Sequence, residues 1–392
     1  MLAAGTVMAA APALAGAQSS QGEPPFLPYG HPAKAEADTV RVAAQPFTDT
    51  VPAIGVATTP LEALEGTITP NGLHFTRNHA PVPDIDPAAH RLLIHGLTQR
   101  PLEFTMDALA RYPLVSRTCF IECAGNSFYH SLSQPKQIGV GVIHGMLSSA
   151  QWTGVPLSVL LNEAGIAPEA DWLLAEGDDA VKMSHSLPLS KAMDDCLLAL
   201  YQNGERLRPE QGYPLRLIVP GWQGVTHIKW LRRFKLTQGP TQTRDETSRY
   251  SYLLPDGRAE EFAMAMPVKS LITNPSFGRD VAGPGLVQIS GLAWSGSGPV
   301  TAVEFSADGG KSWTDTHLDD QTDPCALRRF RLGWVWDGKP AVLQSRARDA
   351  SGAVQPTHAQ WKAAFNAAER FGCNAIQSWS IDSDGSIENI LI

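Results

Sequence analysis

The chain has 392 residues, of which 43% are hydrophobic and 18% are charged, and its formal net charge is −8. Because this length exceeds what one compact core usually holds, two domains are expected. The composition is typical of a globular chain and excludes the disordered and membrane-embedded classes. The negative net charge argues against a nucleic-acid-binding function, because binding to phosphates requires clustered Lys and Arg. A basic protein partner is compatible with this charge.

The N-terminal stretch 1–18 is apolar, rich in small residues and too short to span a bilayer. Ala13 and Ala15 fit the small-residue cleavage rule, so we expect the remnant of an export signal. Residues 19–60 are rich in Pro and Ala and are expected to form an extended arm. The five cysteines, an odd and sparse number, indicate no disulfide framework.

A first domain is expected over residues 61–239. Residues 91–96 read as a strand, and residues 105–109 as a short helix capped by Thr105. A second helix is expected to have Pro156 near its first turn and Gly165 just past its end. Strands and helices mix without a regular βαβ alternation, which favours an α+β fold. No G-x-G-x-x-G loop occurs, which excludes the simplest nicotinamide-binding case.

The sequence turns polar over residues 240–266, which we interpret as a linker crossing the active-site face. From residue 267 to 392, short β-prone segments alternate with Gly, Pro and Asp turns. Examples are residues 287–291, 300–305 and 343–348. This spacing predicts an immunoglobulin-like β-sandwich. Asp308 and the two glycines after it predict a hairpin turn.

The strongest chemical signal lies around Cys123. The β-prone run 114–121 leads into Glu122, this cysteine and then turn-forming residues, which predicts a buried strand that delivers a thiol to a tight loop. Such a thiolate is either a soft metal ligand or a nucleophile. A simple buried hydrophobe is the alternative. Cys119 completes no zinc pair, and no His lies nearby to suggest a protease.

The segment 122–126 (ECAGN) resembles the molybdenum-ligating loop of the sulfite oxidase family. Three further stretches resemble that family in the same order, namely 75–83 (FTRNHAPVP), 212–221 (GYPLRLIVPG) with 227–231 (HIKWL), and 266–273 (MPVKSLIT). The resemblance implies a mixed α/β molybdopterin-binding domain followed by a β-sandwich dimerisation domain. It also implies a molybdenum–molybdopterin cofactor, with Cys123 as the protein ligand of the metal.

Carried over position by position, the resemblance implies catalytic roles for Cys123, Arg77 and Tyr250. It implies that the cofactor is bound by Phe75, Thr76, Arg77, Asn78, His79, Cys123, Asp179, Arg216, His227, Ile228 and Lys229. The Arg side chain supplies a planar donor fork for anions. His227 and Lys229 would point to one face if their segment is a strand. Neighbouring Asp178 leaves the Asp179 assignment open by one residue, and Tyr250 is equally compatible with a linker aromatic packed on the domain surface.

Departures from the family pattern concern the substrate. Ser127 and Phe128 stand where sulfite oxidases have Arg residues after the ligand loop, a position the resemblance places beside the metal. Gln211 stands where the family has a His, and Thr226 where it has an Arg. A site short of cations binds a small dianion less well. Together with the segment 374–379 (NAIQSW), this pattern resembles the sulfane dehydrogenase branch of the family.

The resemblance to that branch implies oxidation of carrier-bound sulfane sulfur by oxygen-atom transfer from water, with electrons passed to a c-type cytochrome subunit or a soluble cytochrome c. A sulfite dehydrogenase acting on free sulfite is the alternative. A third possibility, a non-catalytic scaffold, has no need of Cys123. The implied partners are a sulfur-carrier protein and a second copy of the chain, bound through the C-terminal domain. The chain has no C-x-x-C-H and so binds no c-type haem itself.

The resemblance further implies that the cofactor is inserted before export, which favours a twin-arginine signal whose basic part is missing here and a periplasmic location. No membrane span is expected.

Overall fold

The computed structural model describes residues 33–44, 55–132, 134–261, 264–320, 323–365 and 372–392, so the expected export signal lies outside it. The chain divides into two units, Met1–Thr39 and Val40–Ile392. The described part of the first unit has a 3-10 turn at Lys34–Glu36. Everything below concerns the second unit. Among the described helices, none is long and apolar enough to cross a membrane.

Up to residue 239, the second unit is built mainly of strands. These are β1 Val42–Ala44, β2 Val56–Thr58, β3 Thr76–Arg77, β4 Arg91–Gly96, β5 Leu102–Thr105, β6 Val115–Glu122, β7 Leu147–Pro156, β8 Trp172–Gly177, β9 Ser184–Pro188, β10 Leu197–Gln202, β11 Glu205–Arg206, β12 Arg216–Ile218 and β13 Leu231–Thr237. The helices are α1 Met106–Leu109, α2 Val140–Ile143, α3 Leu157–Ala164 and α4 Leu189–Asp194, with 3-10 turns at Leu61–Ala63, Asn71–Leu73, Phe128–Ser131, Pro209–Gln211 and Gly224–Thr226.

These strands form three sheets. One has the order β1-β2-β3, a second has the order β11-β10-β7-β6 with β12 also paired to β10, and a third has the order β5-β4-β13-β8-β9. Within the third sheet, β4 and β13 run parallel, while their other neighbours are antiparallel. The α+β prediction is confirmed. The arm expected over residues 19–60 contributes β1 and β2, which pair with each other and then with β3.

The local helix signals act as expected. The Thr105 hydroxyl accepts from the Ala108 amide at 3.0 Å, which starts α1. Gly165 ends α3 at a φ of 71°, a left-handed conformation that glycine adopts at little cost. Pro156 lies next to the first turn of α3: its ψ of 129° is extended, so it closes β7 and α3 begins at the following residue.

The linker 240–266 contains α5 (Arg244–Arg249) and a hairpin of β14 (Tyr252–Leu253) and β15 (Ala259–Glu260). Helix α5 opens with a capping box in which Glu246 accepts from the Thr243 amide at 2.6 Å. The same buried carboxylate accepts from the Ser186 amide of β9 at 2.5 Å. The linker helix is therefore fastened to the first domain.

The C-terminal region comprises β16 Lys269–Asn274, β17 Gly285–Trp294, β18 Val300–Ser306, β19 Thr314–Asp315, β20 His317–Leu318, β21 Arg328–Trp336, β22 Ala341–Asp349, α6 His358–Ala364, β23 Ser378–Ile381 and β24 Ile387–Ile390. Its two sheets have the orders β16-β17-β21-β20 and β19-β18-β22-β23-β24 and share one apolar core. The predicted sandwich is confirmed. The Asp308 turn joins β18 to β19, with Gly309 and Gly310 at positive φ.

The sandwich core continues into the first domain. Phe120 of β6 is fully buried in it, and its ring centroid lies 6.4 Å from that of Trp294 in β17. Strand residues on the opposite face of β6, Cys119 and Ile121, pack into a separate cluster with Trp152. The two domains are therefore joined by buried apolar surface on one side of a single strand. The domain boundaries at 239 and 267 stay predictions.

We expect Phe120→Ala to lower the free energy of unfolding by about 3–5 kcal/mol, because it removes a buried aromatic ring and leaves a cavity at the domain junction. Chemical denaturation followed by tryptophan fluorescence measures the change. Phe128→Ala is the matched control, since that ring is 51% exposed. A similar loss in both variants would contradict the shared core.

Candidate active site

One cavity gathers the chemically active residues of the first domain. It contains about 690 Å³ of space not occupied by atoms, open solvent at its mouth included. All the residues predicted for the site line this cavity: Phe75, Thr76, Arg77, Asn78, His79, Cys123, Asp179, Arg216, His227, Ile228, Lys229 and Tyr250. Four segments distant in sequence, together with the linker, thus converge on one point.

Cys123 follows directly on the last residue of β6. Its amide donates to the Met146 carbonyl at 3.0 Å, and its carbonyl accepts from the Asn126 amide at 2.9 Å, which closes a tight loop. A side chain at Gly224 would come within 2.8 Å of the Glu122 carbonyl oxygen, so only glycine lets this turn pack on the loop. Burial raises the pKa of the half-buried thiol. A thiolate here therefore needs a metal or another cation to hold it.

The entry segment, β3 with the residues after it, is tied to Lys229. The ammonium of Lys229 donates to the Asn78 side-chain oxygen, to the Arg77 carbonyl at 3.2 Å and to the Glu210 carbonyl at 2.9 Å. Burial, followed by the charge of Arg216, holds the pKa of Lys229 well below its usual value. This half-buried lysine is therefore an oriented donor and not a solvated surface charge.

Arg216 is a second cation in the cavity wall, and it is buried. Its Nη1 donates to the Gln211 side-chain oxygen at 3.0 Å, and its guanidinium lies 5.2 Å from the Trp152 ring centroid. Its Nε has no hydrogen-bond partner among the described residues. Burial lowers the pKa of Arg216 to about 9. A buried guanidinium with an open donor favours a bound anion, which fits the phosphate of a molybdopterin.

The two cavity histidines are neutral. His227 accepts from the Val219 amide at Nδ1, 3.3 Å away, and its Nε2 lies 3.2 Å from the Trp222 carbonyl. Burial, and then Arg216, lowers the pKa of His227 to about 3. Burial, and then Arg77, lowers the pKa of His79 likewise to about 3. Neutral imidazoles at these positions act as hydrogen-bonding and packing groups and add no positive charge.

The segment that carries His227 and Lys229 is not a strand. The 3-10 turn Gly224–Thr226 precedes them, and β13 begins only at Leu231. Both residues nevertheless line the cavity, as does the next residue, Trp230, which has a φ of 51°. This left-handed conformation is strained for a bulky residue, and the hydrogen bond from its indole to the Pro209 carbonyl at 2.9 Å holds it.

The two candidate aspartates are separated by the structure. Asp179 is buried, lines the cavity and accepts from the Met183 amide at 2.9 Å. Asp178 is partly exposed and pairs with Lys182 at 2.7 Å and with Arg232 at 3.7 Å. Of the pair, Asp179 is therefore the one positioned to meet a cofactor.

Tyr250 ends α5 and lies against the Cys123 loop. Its side chain is buried, packs on Ala124 and has its ring centroid 6.2 Å from that of His185. Burial, and then the nearby Cys123, raises the pKa of the phenol. The group is therefore a neutral hydrogen-bond donor at physiological pH. Helix α5, which Glu246 anchors to β9, brings it into the cavity.

Sequence reasoning did not assign several lining residues. They are mostly apolar or small: Ile121, Ala124, Met183, Gln211, Gly224, Val225 and Trp230. Of these, Ile121, Ala124 and Trp230 lie within stretches that the sequence had singled out, and Met183, Gly224 and Val225 carry no local signal. The expectation that Ser127 and Phe128 flank the metal needs correction, because neither lines the cavity. Ser127 is buried behind the loop, and Phe128 is 51% exposed. The left-handed Ser127, with a φ of 63°, turns the chain away from the thiol.

Comparisons with known proteins agree with this architecture. Residues 79–244 match the model of the oxidoreductase molybdopterin-binding domain, and residues 260–369 match that of the Mo-co oxidoreductase dimerisation domain. Mitochondrial sulfite oxidase of Mus musculus is 34% identical over 69% of this chain and 52% of its own length. Sulfite oxidase of Gallus gallus is 33% identical over 76% of this chain and 70% of its own length.

Among solved structures, the sulfane dehydrogenase SoxCD from Paracoccus pantotrophus matches with a TM-score of 0.90 and 43% identity, over 95% of this chain and 96% of that one. The chain spans about half the length of the mammalian relatives that it matches. Fold and site thus define a molybdopterin oxidoreductase with a dimerisation domain. The chain belongs to the sulfite oxidase family, and the molybdopterin cofactor expected from the sequence is confirmed.

We expect Cys123→Ser to lower turnover by more than about 100-fold, since loss of a direct ligand exceeds the usual effect of residues around a metal. Cytochrome c reduction and molybdenum content measure the outcome. Cys119→Ser is the control: that thiol is buried four residues earlier and lies outside the cavity wall. Equal losses in the two variants, or none in either, would show that another group holds the metal.

Proposed function

We propose that this chain oxidises reduced sulfur by oxygen-atom transfer from water and passes the electrons to a c-type cytochrome. The supporting observation is the convergence of the Cys123 thiol, the cations Arg77, Arg216 and Lys229, and the Tyr250 phenol on one cavity. When bound, the molybdenum cofactor supplies the two-electron transfer of oxygen to sulfur. A scaffold role is disfavoured, because a carrier protein has no use for a thiol and a phenol at the same cavity.

The residues of the chain divide into holding and reacting groups. Cys123 would hold the metal, and Arg216 and Lys229 would bind the pterin phosphate together with Asn78 and the neighbouring entry segment. Arg77 is half-buried and lines the same cavity as Cys123. In this arrangement Arg77 orients a negatively charged substrate oxygen, and Tyr250 donates a hydrogen bond to it.

The substrate we favour is sulfane sulfur carried on a protein arm. Of the cations that line the cavity, Arg216 is buried, whereas Lys229 and Arg77 are half-buried. Lys229 already donates to three protein oxygens, so we assign Arg77 to the substrate. The remaining wall near Tyr250 contains Met183 and Val225, which offer no charge to a dianion. A persulfide carries less charge than sulfite and gains affinity from protein–protein contact. The resemblance to a sulfane dehydrogenase supports the same choice. The sulfite oxidases among the relatives favour free sulfite as the second candidate.

We expect kcat/KM on free sulfite to be at least about tenfold below that on a protein-bound cysteine persulfide, and to fall as salt screens the attraction. Arg77→Met should raise KM for sulfite because it removes a charge-assisted contact worth about 1.5–3 kcal/mol. Steady-state kinetics with cytochrome c at two ionic strengths measure both effects.

Arg348→Met removes an equal charge from β22, outside the cavity wall, and should leave both efficiencies unchanged. Efficient oxidation of micromolar sulfite, with no advantage for the persulfide, would favour the sulfite dehydrogenase instead.

We also propose a homodimer formed through the sandwich, acting with a sulfur-carrier protein and a haem subunit in the periplasm. Leu286 of β17 and Val335 of β21 are cross-strand partners, and they are 78% and 74% exposed. An apolar pair this open on one sheet is typical of a contact surface. It lies within the segment that matches a dimerisation domain.

We expect Leu286→Asp combined with Val335→Asp to convert the dimer to a monomer in sedimentation velocity at micromolar concentration, because two desolvated carboxylates would oppose their copies. Val181→Asp, an exposed position of the first domain, is the control and should sediment as a dimer. A double variant that stays dimeric would place the contact elsewhere.

A further inference from the structure

A buried polar network lies directly behind the Cys123 loop. Glu122 is 1% exposed, and its Oε2 accepts from the Trp294 indole at 2.7 Å. Its Oε1 accepts from the Asn126 amide group at 2.9 Å and lies 3.3 Å from the Lys269 ammonium. Lys269 and Trp294 both belong to the sandwich, so the residue next to the proposed metal ligand is held by the other domain.

Lys269 contacts both ends of the loop. Besides Glu122, its ammonium donates to the Ser127 hydroxyl at 2.5 Å and to the Cys373 carbonyl at 2.7 Å. The Ser127 hydroxyl also lies 2.7 Å from His144 Nδ1. These bonds fix the left-handed turn at Ser127, which an L residue otherwise disfavours. One side chain thereby spans the residues that flank Cys123 on either side.

Holding two domains together does not by itself explain this arrangement. Two buried charges lose their hydration, and apolar residues of similar volume often hold a core equally well. The neighbouring junction of Phe120 with Trp294 already supplies apolar adhesion. The charged pair instead lies within one residue of the thiol, where a fixed charge acts strongly because water is excluded.

We propose that Lys269 is a positioning residue for Cys123, which fixes the loop at Glu122 and Ser127 and balances the Glu122 carboxylate beside the metal thiolate. The inference rests on Cys123 being the metal ligand, as proposed above. It gives the dimerisation domain a part in tuning the metal site. Without Lys269, the carboxylate is left as an uncompensated negative charge next to the thiolate.

The test compares Lys269→Met, Glu122→Gln and the double variant as full-length, cofactor-loaded protein. Molybdenum content and the midpoint potential of the Mo(VI/V) couple, followed by electron paramagnetic resonance, are measured without any substrate. Lys269→Met should shift the potential to more negative values, because an unpaired anion favours the oxidised metal. Glu122→Gln should shift it the opposite way. The double variant restores neutrality and should return the potential towards that of the unmodified protein.

Arg346→Met is the control. It breaks an ion pair with Glu304 elsewhere in the same sandwich, so it should leave the potential unchanged. If Lys269→Met loses its cofactor, the double variant is compared with Glu122→Gln instead. The double variant should have the lower potential, because it differs from Glu122→Gln only in lacking the lysine charge. Shifts of one sign in both single variants, or no shift at full molybdenum content, would overturn the proposal. Because no substrate is used, these results are independent of whether the chain oxidises sulfane sulfur or sulfite. Loss of the metal signal in Cys119→Ser but not Cys123→Ser would instead overturn the ligand assignment.

Discussion

The two-sided burial of strand β6 is the constraint on which the site depends. Successive side chains of a strand point to opposite faces, so Phe120 enters the sandwich core while Cys119 and Ile121 enter the cluster around Trp152. A shift of one residue would exchange these faces and place an aromatic ring where a thiol fits. The register of β6 therefore determines where the chain leaves the sheet and where Cys123 lies.

In the cavity that this register creates, the positive charges of the cations are only partly compensated by their hydrogen-bond partners. Arg216 and Lys229 lose their hydration on folding, and much of what they gain comes from neutral oxygens: the carbonyls of Arg77 and Glu210, and the Gln211 amide group. Neutral acceptors compensate a buried cation only in part. A phosphate-bearing ligand would supply the missing negative charge, so binding of the cofactor and stability of this domain are linked by mass action. Burial lowers the pKa of both Arg216 and Lys229, which is consistent with this lack of compensating negative charge.

Local patterns in the sequence predicted the Thr105 cap and the strands around residues 91–96, 287–291, 300–305 and 343–348. The residues assigned to the site came from the resemblance to the sulfite oxidase family. Contacts that depend on distant parts of the chain were not predictable in this way. The left-handed Trp230 cannot be recognised from propensities, because tertiary packing imposes it. Lys269 lies 147 positions from Glu122, and nothing in the sequence around it indicates that contact. The exposed position of Phe128 likewise follows from the turn at Ser127, which its partners from other segments impose.

The linker and the sandwich also contribute residues to the site, besides the first domain, which matches the molybdopterin-binding model. The segments around Asn78, Arg216 and Lys229 build the pocket for the cofactor, but Tyr250 enters it from the linker helix, whose Glu246 is anchored to β9. From the opposite direction, the sandwich supplies the charge and the indole that hold Glu122. The first domain therefore supplies most of the proposed pterin pocket, whereas the surroundings of Cys123, the proposed metal ligand, involve all three parts of the chain. Their buried contacts make the position of the thiol a property of the whole folded unit.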